Sequence, residues 1–405
     1  MNFEMVQDGA NPTIIKVIGI GGGGCNAVDR MVEVGLEGVE FIAANTDLQD
    51  LQKKRSQGKI QLGPKLTGGY GAGMVPDVGE KAAMESRDEI KEMLRGTDLL
   101  FITAGEGGGT GTGASPVIAQ IAKELSILTI GVVTRPFLFE GKPRMRLAEE
   151  GIQNLMEHVD SLIVIKNENL LKISNKQTTI LNAYELANNV LKNAVQGISE
   201  LLTRPGLINL DFADLKTVMS KKGKAVMSFG IATGDNRSMD VVESALSSPL
   251  LEEDSISGAT GLLINVTGGK DLNMGEVDQI VKAVIREADE NANIIFGHTF
   301  DNTITDEVRL TIVATGFITM KAKTASENET YSPKLEILAG KEFEKPAFQR
   351  VMKSNFVNTQ MGNDDKIVKE LKQQDSYNNE PQFLINWDEE NYDIPAFLRN
   401  KTKTL

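Results

Sequence analysis

The apolar positions along the chain switch repeatedly between a period of two and a period near 3.6. Residues 14–20 (IIKVIGI) form a β-branched run that ends in Gly21, Gly22, Gly23 and Gly24 and continues into NAVDRMVEVG at helical spacing, which reads as strand, turn, helix. Strand patterns recur at 39–44, stopping at Asn45-Thr46-Asp47, and at 98–104, stopping at a second glycine segment, 105–113. There, Ser115-Pro116 offers an N-cap and a first-turn proline to a helix VIAQIAKEL. With further strand patterns at 128–134 and 161–166, strands alternate with helices over the first 170 or so residues. This predicts an α/β fold: an amino-terminal Rossmann-like domain with a mostly parallel sheet, helices on both faces, and ligands at the carboxyl ends of its strands.

From 178 to 203 the positions Ile180, Leu181, Tyr184, Leu191, Ala194, Val195, Ile198, Leu201 and Leu202 keep one helical face apolar, and Arg204-Pro205-Gly206 stops the pattern. Such a helix is roughly 39 Å long and can connect two domains. Beyond it, strand patterns at 225–232, 261–267, 294–298 and 308–315 are separated by helical ones at 239–247 and 273–289, predicting a second, smaller α/β domain. After Gly316 the chain turns polar and Asn/Gln-rich, the composition of a disordered linker, with a transient helix expected near 367–371. At its end NYDIPAFLRN gathers Ile394, Phe397 and Leu398 around Pro395, which reads either as a docking peptide or as a solubilising end.

Composition narrows the chemistry. The chain of 405 residues has 43 Lys+Arg against 56 Asp+Glu, a net charge of −13, and no basic cluster, which argues against direct binding to nucleic acid or a lipid surface. One Cys excludes an internal disulfide framework and Cys-based zinc sites, and two His leave no material for a His-rich metal centre. No metal ligand set is assigned. No apolar run approaches a membrane span, and the start MNFEMVQDGANP lacks a secretion-signal pattern, so a reducing, cytoplasmic address is expected.

The 39 glycines carry the functional signal. Gly19, Gly21 and Gly24 fit G-x-G-x-x-G, with Asp47 ending the next strand where a ribose-binding acid would belong, so the turn could bind a dinucleotide or merely turn tightly. No GK[ST] occurs, so a Walker-type loop is absent. The second segment is more decisive: Gly107, Gly108, Gly109, Thr110, Gly111, Thr112 and Gly113 form seven residues without a bulky side chain between a buried strand and a helix. Glycine loses more backbone entropy on folding than any other residue, so such a cluster suits a backbone wrapped closely round a ligand. Its successive N–H groups can nest a triphosphate, and two threonine hydroxyls can add bonds.

GGGTGTG at 107–113 resembles the signature of the tubulin/FtsZ superfamily of GTPases. GGGGCNAV at 21–28, NTD at 45–47, RPGLINLDFADL at 204–215 and DIPAFLR at 393–399 are similar to its bacterial cell-division branch. The likeness covers about 12–316 and the last dozen or so residues. It implies a GTP-binding domain at 13–177 after a flexible 1–12, a central helix at 178–203, an activating loop and helix at 204–222, a carboxyl-terminal domain at 223–316, a disordered linker at 317–385 and a docking peptide at 386–405.

By the same resemblance Gly21, Gly22, Gly23, Asn26, Asn45, Gly71, Ala72 and Gly73 join the signature loop around GTP or GDP with Mg²⁺. Glu140 and Arg144 would meet ribose and phosphates, and Asn167, Tyr184 and Asn188 ribose and base. Tyr184 departs from the common phenylalanine, and its plainer reading is one more member of the helix's buried stripe. Asn209, Asp211 and Asp214 would reach the nucleotide of the next subunit and polarise the attacking water. Taken by themselves, Asp211-x-x-Asp214 ahead of an apolar run reads as a helix cap.

Further implications are head-to-tail filaments in the division ring at the mid-cell septum, a tail whose Ile394, Pro395, Phe397, Leu398 and Arg399 dock on membrane-tethering adaptors, assembly regulators, and contact with the membrane only through those partners. The rivals are an NAD-dependent oxidoreductase using the first glycine turn and a plasmid-segregating relative, the latter weakened by DIPAFLR. Cys25, beside the first turn, could be a reactive thiol or a small space-filler. His158 and His298 receive no catalytic role.

Overall fold

The computed structural model describes residues 13–173, 178–204, 210–221, 223–251 and 256–317. By contacts the chain divides into Met1–Thr324 and Ala325–Leu405, and every described residue belongs to the first unit. The expectations for 1–12, for the linker at 318–385 and for the terminal peptide at 386–405 lie outside the described residues.

The chain begins β1 (Ile15–Ile20), α1 (Gly21–Val34), β2 (Glu40–Asn45), α2 (Leu48–Gln52), β3 (Gly58–Gln61), α3 (Pro64–Thr67), α4 (Pro76–Glu85) and α5 (Arg87–Leu94). It continues with β4 (Leu99–Gly105), α6 (Thr110–Glu124), β5 (Leu128–Arg135), α7 (Lys142–Met156), β6 (Ser161–Lys166), α8 (Asn167–Ile173) and α9 (Ile180–Thr203). The remaining elements are α10 (Phe212–Met219), β7 (Lys224–Thr233), α11 (Arg237–Leu246), β8 (Gly261–Gly268), α12 (Met274–Arg286), β9 (Asn293–Phe300) and β10 (Glu307–Thr315).

The strands form one sheet in the order β3-β2-β1-β4-β5-β6-β7-β10-β8-β9. From β3 to β7 every pairing is parallel, and the winding reverses between β1 and β4, so the crevice at their carboxyl ends is the topological switch point. β10 runs antiparallel to β7 and β8, and β8 pairs in parallel with β9. The second α/β portion continues the first sheet through a narrow joint, where β6 and β7 share the register pairs Leu162↔Lys224 and Ile163↔Ala225.

Strict alternation gives each strand two buried faces. Ile15 and Val17 of β1 and Leu99 and Phe101 of β4 join a core with Ala27, Val28 and Met31 of α1, with α9, and with Leu215, Val218 and Met219 of α10. Ile18, Ile20, Leu100 and Ile102 point the other way, into a core closed by α4, α5 and α6. A third core lies under α11 and α12.

α9 is capped by Thr179, whose side chain accepts from the Asn182 N–H, and at about 36 Å it outruns the strands it crosses. Ile180, Leu181 and Tyr184 are exposed, and the buried stripe is Ala183, Ala187, Leu191, Ala194, Val195, Ile198 and Leu201, a correction to the expected face.

A second correction concerns α6. It starts at Thr110 rather than at Ser115, so Ser115 and Pro116 lie inside it, with Ser115 Oγ donating to the Gly111 carbonyl at 2.6 Å. The early start comes from packing. A Cβ on Gly113 would sit 1.9 Å from the Pro76 carbonyl, so only glycine lets α6 come this close to α4.

In the third core's neighbourhood Arg237, at the start of α11, is buried and binds Glu276 of α12 in bidentate fashion at 2.7 and 3.1 Å, with Asp271 also in contact. Arg237→Met should lower stability in denaturant unfolding, because it removes the bidentate partner of Glu276. Arg237 holds the Glu276 carboxyl below its ordinary value. That contribution is present above the ordinary carboxylate range and is lost as pH falls through the lowered value, so the wild-type and variant stability curves should converge in acid.

Candidate functional site

Both glycine segments prove to be helix N-termini. α1 starts at Gly21 straight off the end of β1, and α6 starts at Thr110 just beyond the end of β4. Neither Ile20 nor Gly109 supplies a side-chain cap, and neither first turn contains an acid. The helices α2, α9, α10 and α12 are capped by Asp47, Thr179, Asp211 and Asn273, whereas α3, α4, α5, α7 and α11 also lack a side-chain cap, so it is the meeting of the α1 and α6 ends that distinguishes them. Two helix ends without side-chain caps thus bring their positive dipole ends together at the switch point, an arrangement suited to an anion.

The glycines divide by what surrounds them. A Cβ on Gly24 would lie 2.2 Å from the Thr103 carbonyl, and one on Gly21 would lie 3.0 Å from the Gly111 nitrogen, so these glycines seat α1 on β4 and on the second loop. A Cβ on Gly109 would come within 2.9 Å of Ala72 Cβ, which brings the 71–75 loop over the same place. Gly22 and Gly108 differ: a Cβ on Gly22 would find only Asp50 Oδ2, at 4.0 Å, and one on Gly108 nothing within 4 Å. Neither has a positive φ. The fold does not require glycine at either position, and a ligand lying against the backbone would.

The rim is built from polar side chains. Thr110 Oγ1 meets Thr46 Oγ1 at 2.6 Å, and the Thr46 carbonyl accepts from the Gly71 N–H at 3.2 Å, which ties three loops together. Thr112 turns inward and accepts the Gly107 N–H at 2.8 Å, so it braces the loop and does not offer its hydroxyl outward. Asn45 is also buried, with Nδ2 donating to Asp50 at 2.9 Å and Oδ1 accepting from Asp47 N–H at 3.3 Å. Asp50 pairs with Lys54 at 2.8 Å, and Lys54 Nζ donates to Asn26 Oδ1 at 2.5 Å. Asp50 and Lys54 escaped the sequence reading. Their signal is the i,i+4 spacing, which means something only once α2 is known to be a helix.

Asn26 and Asn188 line one cleft of about 270 Å³ between α1 and α9, beside Arg30 and Asn189, whose side chains are bonded at 3.1 Å. At another edge Tyr184 packs edge-on against Phe137, with ring centroids 5.4 Å apart. It is 38% exposed, which sets aside its reading as part of the buried stripe. Burial, then the Glu140 charge, raise its hydroxyl pKa above the ordinary value, so it stays protonated at neutral pH. Glu140 itself accepts from the Phe137 N–H at 2.9 Å and pairs with Arg144 at 3.2 Å. Arg144 lies along Gly107, whose Cβ would be 2.9 Å from Arg144 Cγ. At the end of β6 Asn167 is buried, and its Oδ1 has no hydrogen-bond partner. An orphaned buried acceptor beside a strand's carboxyl end fits a ligand that donates a hydroxyl.

Other expected residues stand apart. Asp211 caps α10, its Oδ1 accepting from the Asp214 N–H at 2.8 Å, and both acids are exposed. α10 packs against β8 and β9, and its last carbonyl, that of Met219, accepts from Ser161 Oγ at the start of β6, whereas the glycine loops follow the carboxyl ends of β1 and β4. Asn209 and the terminal Ile394, Pro395, Phe397, Leu398 and Arg399 lie outside the described residues. Cys25 is buried against Ala43 and Leu51, with its Sγ 3.3 Å from the Gly19 carbonyl, and desolvation pushes its thiol up to about 12. Burial overturns the reactive-thiol reading and leaves the space-filler. Among the described residues no group of three or more His, Cys, Asp or Glu could hold a metal ion.

Known proteins with the same pattern place the geometry in context. "Tubulin/FtsZ family, GTPase domain" matches residues 14–175, and "FtsZ family, C-terminal domain" matches 223–318. The Cell division protein FtsZ of Coxiella burnetii is 52% identical over 314 residues, 78% of this chain and 81% of that protein. That of Buchnera aphidicola subsp. Schizaphis graminum is 46% identical over 402 residues, 99% of this chain and 100% of that protein. Among solved structures, an empty FtsZ dimer from M. jannaschii superposes with a TM-score of 0.73 at 45% identity, covering 76% of this chain and 89% of that one.

The two kinds of glycine give opposite expected outcomes. Gly24→Ala should destabilise the fold by about 3 kcal/mol, because its Cβ meets backbone that cannot move. Gly108→Val should keep thermal stability within about 0.5 kcal/mol and weaken guanine-nucleotide binding at least about tenfold, read by calorimetry.

Proposed function

The chain belongs to the tubulin/FtsZ family of GTPases, and we propose that its GTP is held by the α1 and α6 N-termini and hydrolysed only when a second copy supplies α10. It is a tubulin-like GTPase of cell division; membership in this family sets aside the nicotinamide-dependent oxidoreductase. The observation that carries the phosphate assignment is the pair of uncapped helix ends with Gly22 and Gly108 open between them.

In this reading Gly21, Gly22, Gly23 and residues 107–113 hold the phosphates by backbone N–H groups, with Gly71, Ala72 and Gly73 closing over them. Arg144, steadied by Glu140, compensates phosphate charge. Asn167 Oδ1 accepts from a ribose hydroxyl, Tyr184 offers a face to the sugar or base, and Asn26 and Asn188 read the base from their shared cleft. Asn26 has its Oδ1 engaged by Lys54, so its Nδ2 is left as the donor it presents. Asn45, held by Asp50 and the Asp47 N–H, has a second Nδ2 hydrogen to offer the nucleotide. Mg²⁺ would come with the phosphates, neutralising their charge, since the described residues offer no cage of their own.

Asp211 and Asp214 are exposed on α10, whose end is bonded to the start of β6 while the glycine loops follow the carboxyl ends of β1 and β4, and that supports a site completed between copies. Their carboxylates, with Asn209, orient and polarise the attacking water on the neighbour's nucleotide; phosphoryl transfer asks little more of protein than position and charge compensation. Head-to-tail stacking into filaments follows from this division. The dimer described for the M. jannaschii relative is in keeping with self-association. The proposed setting is the cytoplasm at the division septum; no described helix is long and apolar enough to cross a membrane. Membrane-tethering adaptors would dock on Ile394, Pro395, Phe397, Leu398 and Arg399, and assembly regulators complete the partners.

GTP turnover per subunit should rise steeply with protein concentration, and a flat dependence would refute the shared site. Asp214→Ala should lower turnover at least about a hundredfold with guanine-nucleotide affinity unchanged. Deleting the residues after Glu390 should leave sedimentation of GTP polymers intact and abolish capture of a membrane-tethering adaptor.

A further inference from the structure

We propose that Glu106 is a positioning residue of the phosphate loop that must be neutral when phosphates are bound, so that nucleotide binding draws a proton onto the protein. The inference rests on the reading of residues 107–113 as the phosphate cradle. Glu106 sits between the end of β4 and Gly107 and is the one charged residue between Asp98 and Lys123. It is 2% exposed, and neither carboxylate oxygen has a hydrogen-bond partner. Space is kept for it: a Cβ on Gly151 of α7 would lie 2.5 Å from Glu106 Oε2 and 2.3 Å from Thr112 Cγ2. On the β5 side its own N–H donates to the Thr134 carbonyl at 2.9 Å.

The charged groups on the surrounding elements are engaged elsewhere. Arg135 of β5 pairs with Glu149, Arg144 and Arg146 with Glu140 and Glu150, and Asp77 and Glu80 of α4 line, with Glu157 and His158, a cleft on the outer side of Thr112 and Gly151. None of them acts on the Glu106 carboxyl. Burial pushes it up to about 7, and the Thr112 hydroxyl lowers it only in part. Thr112, whose hydroxyl borders the Glu106 carboxyl, accepts the Gly107 N–H through the same Oγ1, so the environment of Glu106 is continuous with the loop. The ionised form would also set a second negative charge behind the helix end that the phosphates use. Bound nucleotide therefore raises the Glu106 pKa further. By linkage, affinity falls as pH rises through about 7.

The test is calorimetry of GDP with Mg²⁺ binding to the full chain from about pH 6 to about pH 8.5, in two buffers of different ionisation heat, for wild type and Glu106→Gln. The wild type should take up a fraction of a proton beyond that of Glu106→Gln. Its affinity should fall relative to the variant by up to about tenfold per pH unit above 7, the two converging near pH 6. Parallel curves, or a variant weaker at every pH, would overturn the proposal.

Glu106→Met, neutral and of similar size, guards against a folding artefact. Both variants should be more stable than wild type above pH 7, because a raised carboxyl value means stability lost as pH climbs from the ordinary range through about 7. If neither folds, the carboxylate is structural and the proposal fails. Gly108→Val separates the two levels. Normal GDP binding in that variant would sink the cradle itself, whereas lost binding together with parallel wild-type and Glu106→Gln curves sinks the proton linkage alone.

Discussion

The structure depends on one close approach, backbone against backbone, at the junction of β1 and β4. For two helices to begin within reach of a single anion, α1 must lie directly on β4 and α6 directly on α4, and a single Cβ at Gly24 or Gly113 would forbid it. The rest follows from that requirement. The winding reverses at this junction because only there do two strand ends open onto a common crevice. Helical propensity is sacrificed in both first turns, since glycine costs about 1 kcal/mol per helical position relative to alanine. No side chain caps either first turn, which leaves the backbone N–H groups there to meet the phosphates in the proposed reading.

The same constraint explains what was legible in the sequence. Strands buried on both faces stand out as unbroken apolar runs, and β6 occupies the predicted 161–166. The start of α6 was misplaced because Ser115-Pro116 is a good local cap signal while GTGTG is a poor helix, and tertiary packing outweighed both. β3, only four residues long, carries too little alternation to announce itself. Glycine placement pointed to phosphate, but it could not say which glycines face the ligand. That distinction depends on neighbours remote in sequence, Thr103 for Gly24 and Pro76 for Gly113. For the same reason the bracing of Asn45 by Asp50 and of the Gly107 N–H by Thr112 shows only in the fold.

An acidic chain can nonetheless hold a polyanion because the attraction is local. The nearest cations are already neutralised, Lys54 by Asp50 and Arg144 by Glu140, so little of the field at the loops comes from net charge. It comes from oriented amides, whose reach is about one helical turn. That short range makes the local protonation state matter more than the chain's −13, which acts at distances that salt screens.

The geometry of the sheet then constrains how hydrolysis can be organised. β6 and β7 join through two register pairs, yet α9 packs across both halves, and Asn265 of β8 donates to the Gly197 carbonyl at 3.2 Å to fix it there. A Cβ on Gly197 would touch Thr311 of β10 at 2.6 Å, so the helix is seated on the second half as closely as α1 is on the first. α9 therefore spans both halves of the sheet, its carboxyl-terminal part seated on β8 and β10. On the division of the site proposed above, the α10 carboxylates would reach glycine loops only on a second copy, and turnover would then depend on assembly.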